Sequence, residues 1–384
     1  MKEYITIKNF GPLKDIDNIR IFPFTILIGE SASGKSTLMK VLVMMRYLYK
    51  MANIRSYLRH SKITRTPFRM RLYDMMTRQG MNKIFDKKNT LIIYRIKTED
   101  EIDYEIRIEN GKLSLPIIKK EHLVFSKNSY ISENRNIIPT WAQNAYKGRG
   151  ATLGFYFHET NSDFVAASDG DKELNLNYVG MKLEITHPKG KPTKYQIIPD
   201  DNRHGPIDLT ETSSGIQTSA PLALIVNYFS KDFSFKDAFN RSVMTYLYEM
   251  ENLQNFKAVS EPTELPKIIN IHIEEPELSL FPDAQCRMID DLIYTATHAK
   301  EDRKLNMMIA THSPYILNYL NIVLNQTKEG RAKLSNENTV AYRLYEGKLQ
   351  NLLMQNAKGN WIVDSYDLSE IMGNIYNEFL ELDI

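Results

Sequence analysis

Four residues separate Gly29 from Gly34-Lys35-Ser36, a spacing that suits a phosphate chain. Glu30, Ser31, Ala32 and Ser33 fill the interval and Thr37 follows. Small side chains let successive backbone N–H groups curl around phosphate oxygens, and the helix that begins here turns its positive end toward the same charge. Lys35 neutralises the β- and γ-phosphates, and the Ser36 hydroxyl is available to Mg²⁺. The plainer reading is a Gly/Ser turn ahead of a helix. Against it stands the apolar run at 24–28, the strand that a phosphate-binding loop requires.

Two other clusters end apolar runs in the same way. Residues 267–273 read as a buried strand that stops at Glu274-Glu275-Pro276-Glu277, and 306–310 as another that stops at Thr311-His312-Ser313-Pro314. In an open α/β sheet the chemistry sits just past the carboxyl ends of the strands, so these two ends and the loop at 29–36 are expected to converge. Thr212-Ser213-Ser214-Gly215-Ile216-Gln217 opens a helix that continues through Leu222, Leu224, Ile225 and Tyr228, with serine as a cap.

The elements that must position these groups follow from periodicity. Residues 3–9 alternate as a strand, Gly11-Pro12 turns, and 18–22 lead into the phosphate-loop strand. From Ser36 to about His60 the pattern is helical, with Leu38, Val41, Leu42, Met45, Leu48 and Tyr49 on one side, and a second helix is expected over 68–85. Residues 90–97, 103–109 and 112–115 read as short strands, the last two joined through Asn110-Gly111. Residues 141–182 are mixed and polar and read as an inserted lid or arm, after which 181–186 and 195–198 form a strand pair. No heptad run of coiled-coil length is present.

Composition sets the outer bounds. The 384 residues are 42% apolar, enough for one large core or two linked ones. No continuous apolar run is long enough to span a bilayer, and the first residues alternate rather than build a signal peptide, so the expectation is a cytoplasmic protein with no membrane partner. The single Cys286 can form no internal disulfide and reads as a small core residue. Charge is uneven: residues 1–88 carry 18 Lys/Arg against 6 Asp/Glu, and the remainder 31 against 41. Between Lys40 and Lys83 stand eleven cations and one acid, Asp74, interleaved with Tyr47, Tyr49, Tyr57, Phe68 and Tyr73. That mixture grips a nucleic-acid backbone and offers rings to bases, although a solvated or subunit-facing basic surface is the commoner cause.

Taken together, these pieces resemble the ABC-type ATPase head, in the SMC/RecF/OLD-like branch that also includes the ATPase subunits of Septu and retron anti-phage systems. The elements run in the family's order: a P-loop at 29–36, a signature-like Ser213-Ser214-Gly215-Ile216-Gln217, a Walker B strand at 271–275, a D-loop at 276–282 and a switch His312. The wording Glu274-Glu275-Pro-Glu-Leu-Ser-Leu-Phe-Pro282 is closer to defence and OLD-type ATPases than to transporter subunits. Ser132-Glu133-Asn134-Arg135 is similar to a Pro-Ala-Glu-Arg segment of that branch, with Arg135 open to either a structural ion pair or a nucleotide contact.

The resemblance implies one α/β domain over 1–384: a P-loop mixed sheet, an N-terminal antiparallel β layer, a basic helical segment at 40–88, an insert or lid at 136–182, a helical signature subdomain at 205–260 and a C-terminal strand-and-helix tail at 335–384. It also implies ATP and Mg²⁺, with Gly29–Thr37 on the phosphates, Ser36 and Glu274 on the metal, Glu275 orienting the attacking water, and His312 bonding the γ-phosphate or that water. Ser214, Gly215 and Gln217 would complete the site of a second copy, making a homodimer around ATP that switches a separate effector chain, a nuclease or toxin. Three positions depart from the family: Ala32 for a frequent Gly, Glu274 for the usual Asp, and Ile216 for the signature's second Gly. Gln143 is the one candidate for the Q-loop. Two other functions share these residues: an ATP-stabilised scaffold with little turnover, and an SMC/RecF-like DNA-repair ATPase.

Overall fold

In a computed structural model of the chain, the described residues are 1–63, 70–143, 154–200, 205–244, 247, 264–365, 374–378 and 380–381. The first half runs β1 (Lys2–Phe10), β2 (Leu13–Ile21), β3 (Phe24–Ile28), α1 (Lys35–His60), α2 (Leu72–Arg78), β4 (Leu91–Lys97), β5 (Asp103–Glu109), β6 (Lys112–Ser114), β7 (Phe125–Ile131), α3 (Ile138–Gln143) and α4 (Phe155–Ala167). The second runs β8 (Lys172–Leu176), β9 (Met181–Thr186), β10 (Lys194–Pro199), β11 (Ile207–Asp208), α5 (Ser214–Lys231), α6 (Phe235–Phe239), β12 (Lys267–Glu274), α7 (Pro282–Thr297), β13 (Arg303–Thr311), α8 (Pro314–Asn325), β14 (Thr339–Tyr345), β15 (Lys348–Asn351), β16 (Leu353–Gln355) and β17 (Trp361–Val363).

Among the described residues the main sheet has the order β15-β14-β3-β13-β12-β7, and every pairing from β14 to β7 is parallel. Its inner strands read as continuous apolar runs because both faces are covered. A second, antiparallel sheet, β2-β1-β4-β5-β6, is the expected N-terminal β layer. Helix α1 lies between the two: Arg46 reaches Glu3 on β1 on one side and His272 on β12 on the other. The helix is therefore buried nearly all round rather than along one stripe.

Three expectations are corrected here. The helix read over 68–85 is the shorter α2, because Gly80 adopts φ +71 and stops it; residues 64–69 lie outside the described residues. The basic segment at 40–83 is not one exposed surface: Arg46, Tyr49 and Tyr57 are buried, and Arg46 is committed to Glu3 and His272. Nor is 136–182 an arm throughout. Helix α4 is bolted to β7, where Thr160 donates to the Tyr130 carbonyl (2.8 Å) and Asp163 takes bonds from Lys127 (2.8 Å) and Ser129 (2.6 Å). Phe164 of α4 and Tyr195 of β10 pack with ring centroids 5.2 Å apart, tying α4 to the four-stranded sheet β11-β10-β9-β8. Residues 144–153 of the expected insert lie outside the described residues, as does most of the chain beyond 365, where the described residues 374–378 and 380 are helical. Strand β14 pairs with β3, so the start of the C-terminal tail belongs to the main sheet.

Candidate nucleotide site

Register alone brings the chemical groups together. Ile28 pairs with Thr311, Ala310 with Glu274, and Ile273 with Ile131, so β3, β13, β12 and β7 all leave the sheet at the same level. Neighbouring strands lie about 4.8 Å apart, which sets Gly29, His312 and Glu275 within two strand spacings of one another, roughly 10 Å.

The loop from β3 to α1 is shaped by Gly34 at φ +108, where a Cβ would also sit 2.9 Å from Pro12. The first intrahelical bond is Leu38 N–H to the Gly34 carbonyl, which leaves the N–H groups of Lys35, Ser36 and Thr37 as first-turn donors facing the loop. Lys35 Nζ donates to the carbonyls of Gly29 (2.8 Å) and Glu30 (3.1 Å) and to His312 Nε2 (3.0 Å). Burial lowers its pKa, and the charges of Glu275 and Glu277 offset part of that. Ser33 Oγ is buried without a protein partner. A ring of free amides, a buried ammonium and an orphaned hydroxyl fit a triphosphate. Ala32, which stands where the family often has Gly, sits at a left-handed φ of +62, so the residue is strained where glycine would not be.

Glu275 lies just beyond β12 with its N–H on the Ala310 carbonyl (2.8 Å) and its Oε1 3.3 Å from His312 Nε2. Burial, and then the neighbouring carboxyl of Glu277, push its carboxyl up to about 8, while Lys35 pulls the other way. Lys35 donates to His312 Nε2, so that nitrogen is an acceptor, and the protonated form of Glu275 tolerates the approach to it. Burial first, then Lys35, lowers the histidine's pKa, in keeping with a neutral ring.

Glu277 is the group that sequence reading missed. Its Oε1 accepts from Thr311 Oγ1 and from His312 N–H, both at 2.7 Å, so it aims the switch histidine, while its Oε2 is buried without a partner. The only signal in the sequence is its place two residues after Glu275.

Asn270, His272 and Glu274 share one face of β12, and His272 meets α1 through Arg46. The same face carries the buried Glu274; it and Ser36, in the first turn of α1, have the oxygen atoms that a hard cation takes. Among the described residues no cluster of three or more His, Cys, Asp or Glu exists to hold a metal by itself. Tyr130 and Tyr156, with ring centroids 4.2 Å apart, wall this side; burial and then the charge of Glu274 raise both hydroxyls.

The segment that leaves β7 beside β12 is Ser132–Arg135, not Gln143, which ends α3 and whose side chain lies outside the described residues. Among the described residues Arg135 makes no ion pair: its guanidinium bonds main-chain carbonyls, and burial pushes its pKa down to about 10. Ser214 is exposed at the start of α5, and Gly215 packs on the 276–282 turn, where a Cβ would lie 2.6 Å from the Ser279 carbonyl. Among the described residues no hydrogen bond joins either to the loop at 29–37. Gln217 departs from its expected role on a phosphate, because its amide nitrogen donates to the carbonyls of Thr210 and Thr212, each at 2.8 Å.

Among the described residues no helix is long and apolar enough to cross a membrane. A comparison with curated proteins gives no match. Among solved structures, an SMC head bound to the C-winged helix domain of ScpA aligns with a TM-score of 0.37 and 10% identity, covering 91% of this chain and 98% of that one. A dimeric ATP-binding cassette in a post-hydrolysis state, bound to ADP and Pi, aligns with a TM-score of 0.32 and 12% identity, covering 91% and 97%. The family model of the AAA ATPase domain matches residues 1–198 and 165–317. With its phosphate loop, paired strand-end acids and histidine inside that span, the chain belongs to the AAA ATPase domain family.

Proposed function

We propose that the chain is an ATP-hydrolysing switch of the ABC type. The observation that carries this reading is the cluster of Lys35, His312 and Glu275, with Nζ–Nε2 at 3.0 Å and Nε2–Oε1 at 3.3 Å, delivered by three adjacent parallel strands. Phosphoryl transfer to water needs charge neutralisation, positioning and one carboxylate on the nucleophile, and little else from a protein. Lys35 and the first-turn amides of α1 take the β- and γ-phosphates. Glu275, once ionised, accepts the proton of a water whose oxygen bonds the γ-phosphorus as the bond to the β–γ bridging oxygen breaks and its electrons leave with ADP. His312, aimed by Glu277, donates to the γ-phosphate or orients the water. Ser36 and Glu274 are the residues that would hold Mg²⁺, which when bound would supply charge neutralisation at the phosphates.

The exposed Ser214 at the head of α5 fits a role on the ATP of a second copy, giving a homodimer that closes around nucleotide and opens after hydrolysis. What the closed dimer controls is then a separate effector chain. The likeness of the 274–282 wording to defence ATPases supports anti-phage defence as the setting.

The test uses the full chain. Lys35→Ala is expected to abolish the ATP-induced rise in melting temperature. Glu275→Gln is expected to keep that rise and to lose turnover at least roughly 100-fold, the scale of general-base catalysis. Tight ATP binding with negligible wild-type turnover would select the scaffold reading instead, and near-normal hydrolysis by Glu275→Gln would move the base elsewhere.

A further inference from the structure

Arg135 is fully buried, and among the described residues its guanidinium makes four hydrogen bonds, all to main-chain carbonyls. Nε donates to Thr218 (3.0 Å), Nη1 to Ser132 (3.1 Å) and Glu274 (2.6 Å), and Nη2 to Glu275 (2.5 Å). These oxygens come from three elements: the turn after β7, the first turns of α5, and the end of β12. Thr218 is itself tied to the start of its helix, for its hydroxyl donates to the Ser214 carbonyl at 2.7 Å.

The grip falls where the backbone most needs it. Glu275 sits at φ +43, a left-handed conformation that strains a residue with a side chain. Such a conformation persists only when its surroundings over-determine it. Arg135 holds the peptide plane before Glu275 through the Glu274 carbonyl and the plane after it through the Glu275 carbonyl. With both planes held, the φ and ψ of Glu275, and so the direction of its carboxylate, are set by one guanidinium whose other anchor is α5. A second contact joins the same parts: Gly215 lies against Ser279, itself at φ +61, in a turn closed by Leu278 N–H on the Glu275 carbonyl (3.2 Å).

We propose that Arg135 is a positioning residue that locks the carboxylate of Glu275 to the N-terminal end of α5, so that the water-orienting group is set only while that helix end is seated. The inference deepens the ATPase reading and rests on it. Under the dimer reading Ser214 touches the nucleotide of the second copy. Engagement there passes through Thr218, Arg135 and the two flanking carbonyls to the catalytic carboxylate of the same chain, and two distant sites become coupled. Charge alone does not suffice: a lysine keeps the positive centre but has no planar fork to span four carbonyls.

The experiment measures ATP hydrolysis and ATP-induced melting shifts on full-length wild type, Lys35→Ala, Arg135→Lys and Gly215→Ala. For Arg135→Lys the expected result is an ATP shift like that of wild type, KM for ATP within about threefold, and kcat down roughly 100-fold, the size of loss that a 1 Å misplacement of a catalytic group produces. A kcat within about threefold of wild type overturns the proposal, and so does loss of the ATP shift in step with kcat, which would make Arg135 a shaper of the nucleotide pocket. Should Arg135→Lys fail to melt cooperatively, Gly215→Ala decides. It keeps the Gly215 N–H and adds only a Cβ against Ser279, so lost turnover with a retained ATP shift supports the lock and unchanged turnover overturns it. A wild type without Lys35-dependent hydrolysis overturns the ATPase reading and the positioning role with it, whereas an active wild type beside an equally active Arg135→Lys overturns the positioning role alone.

Discussion

Two buried arginines reach β12, and their surroundings differ. Arg46 comes from α1 and meets side chains: Glu3 at 2.9 Å, which also accepts from Tyr94 at 2.8 Å, and His272 Nε2 at 2.8 Å. Burial alone would lower its pKa, but Glu3 and Tyr94 raise it on balance. Because Arg46 donates to Nε2, that nitrogen is bare, and His272 Nδ1–H donates to the Ser129 carbonyl at 2.9 Å. Arg135 comes from the turn after β7 and meets carbonyls. Its pKa falls to about 10 by burial, with the carboxylates of Glu277, Glu274 and Glu275 acting through space to raise it. The first arginine cements the helix of the phosphate loop between two sheets. The second holds the shape of a turn whose job is chemical. A buried charge with charged and titratable partners resists removal and pH, whereas one with carbonyl partners transmits position.

The largest effect that would sharpen this contrast is on stability. Arg46→Leu leaves the half-buried Glu3 and the buried His272 without their cation and is expected to cost roughly 3 kcal/mol, the low end for breaking a buried pair from one side. Denaturant unfolding reads the loss, and turnover per folded molecule should change little. Selective loss of turnover without loss of stability would put Arg46 in the site and erase the distinction.

Acid and alkali should separate the two regions next. His272 has its pKa lowered to about 3 by burial and then by Arg46, so the unfolded chain binds the extra proton, and stability falls as pH drops from 6.5 toward 3. Glu275 has the opposite sign: its folded pKa is raised from 4.5 to about 8, so its contribution is full at low pH and is lost as pH rises across that window. Unfolding midpoints of the nucleotide-free protein should therefore rise relative to wild type on the acid side in His272→Gln and on the alkaline side in Glu275→Gln. Equal pH profiles for the two variants would show that these groups do not govern their regions. In catalysis the same proton matters in the other direction. kcat/KM should climb with pH toward about 8 as Glu275 ionises, and Glu277→Gln, which removes the neighbouring carboxylate charge, should move that limb to lower pH.

How much of this was legible depends on what the signal was made of. The strands at 24–28, 267–274 and 303–311 are mostly apolar, and their convergence follows from the rule that parallel strands end together, so Lys35, Glu275 and His312 meet as expected. The role of Glu277 comes from β13 returning alongside the 275–277 turn, and no local pattern encodes that return. Arg135 was visible as a residue but not as a clamp, because its partners are carbonyls, which every residue has and no sequence marks. The burial of the basic helix was hidden for a related reason: cover on two sides leaves no polar stripe, and Arg46 inside the protein looks in sequence like Arg59 outside it. Gly80 did carry a readable stop, and the helical pattern on both sides of it outweighed it.

The smallest effect tests the backbone beside Lys35. Ala32 at φ +62 and Glu275 at φ +43 are both strained, but only Glu275 has an arginine holding the planes on either side. If strain at the phosphate loop serves no purpose, Ala32→Gly should stabilise the nucleotide-free protein by about 1 kcal/mol, less than the full left-handed penalty because glycine also gains freedom in the unfolded chain. ATP affinity should then be unchanged. If the strain instead presets the loop for phosphate, the gain in stability should come with weaker ATP binding, since a looser loop must be ordered by its ligand. Melting curves at several ATP concentrations separate the two outcomes, and the second would place a held backbone on both sides of the site rather than at the acid alone.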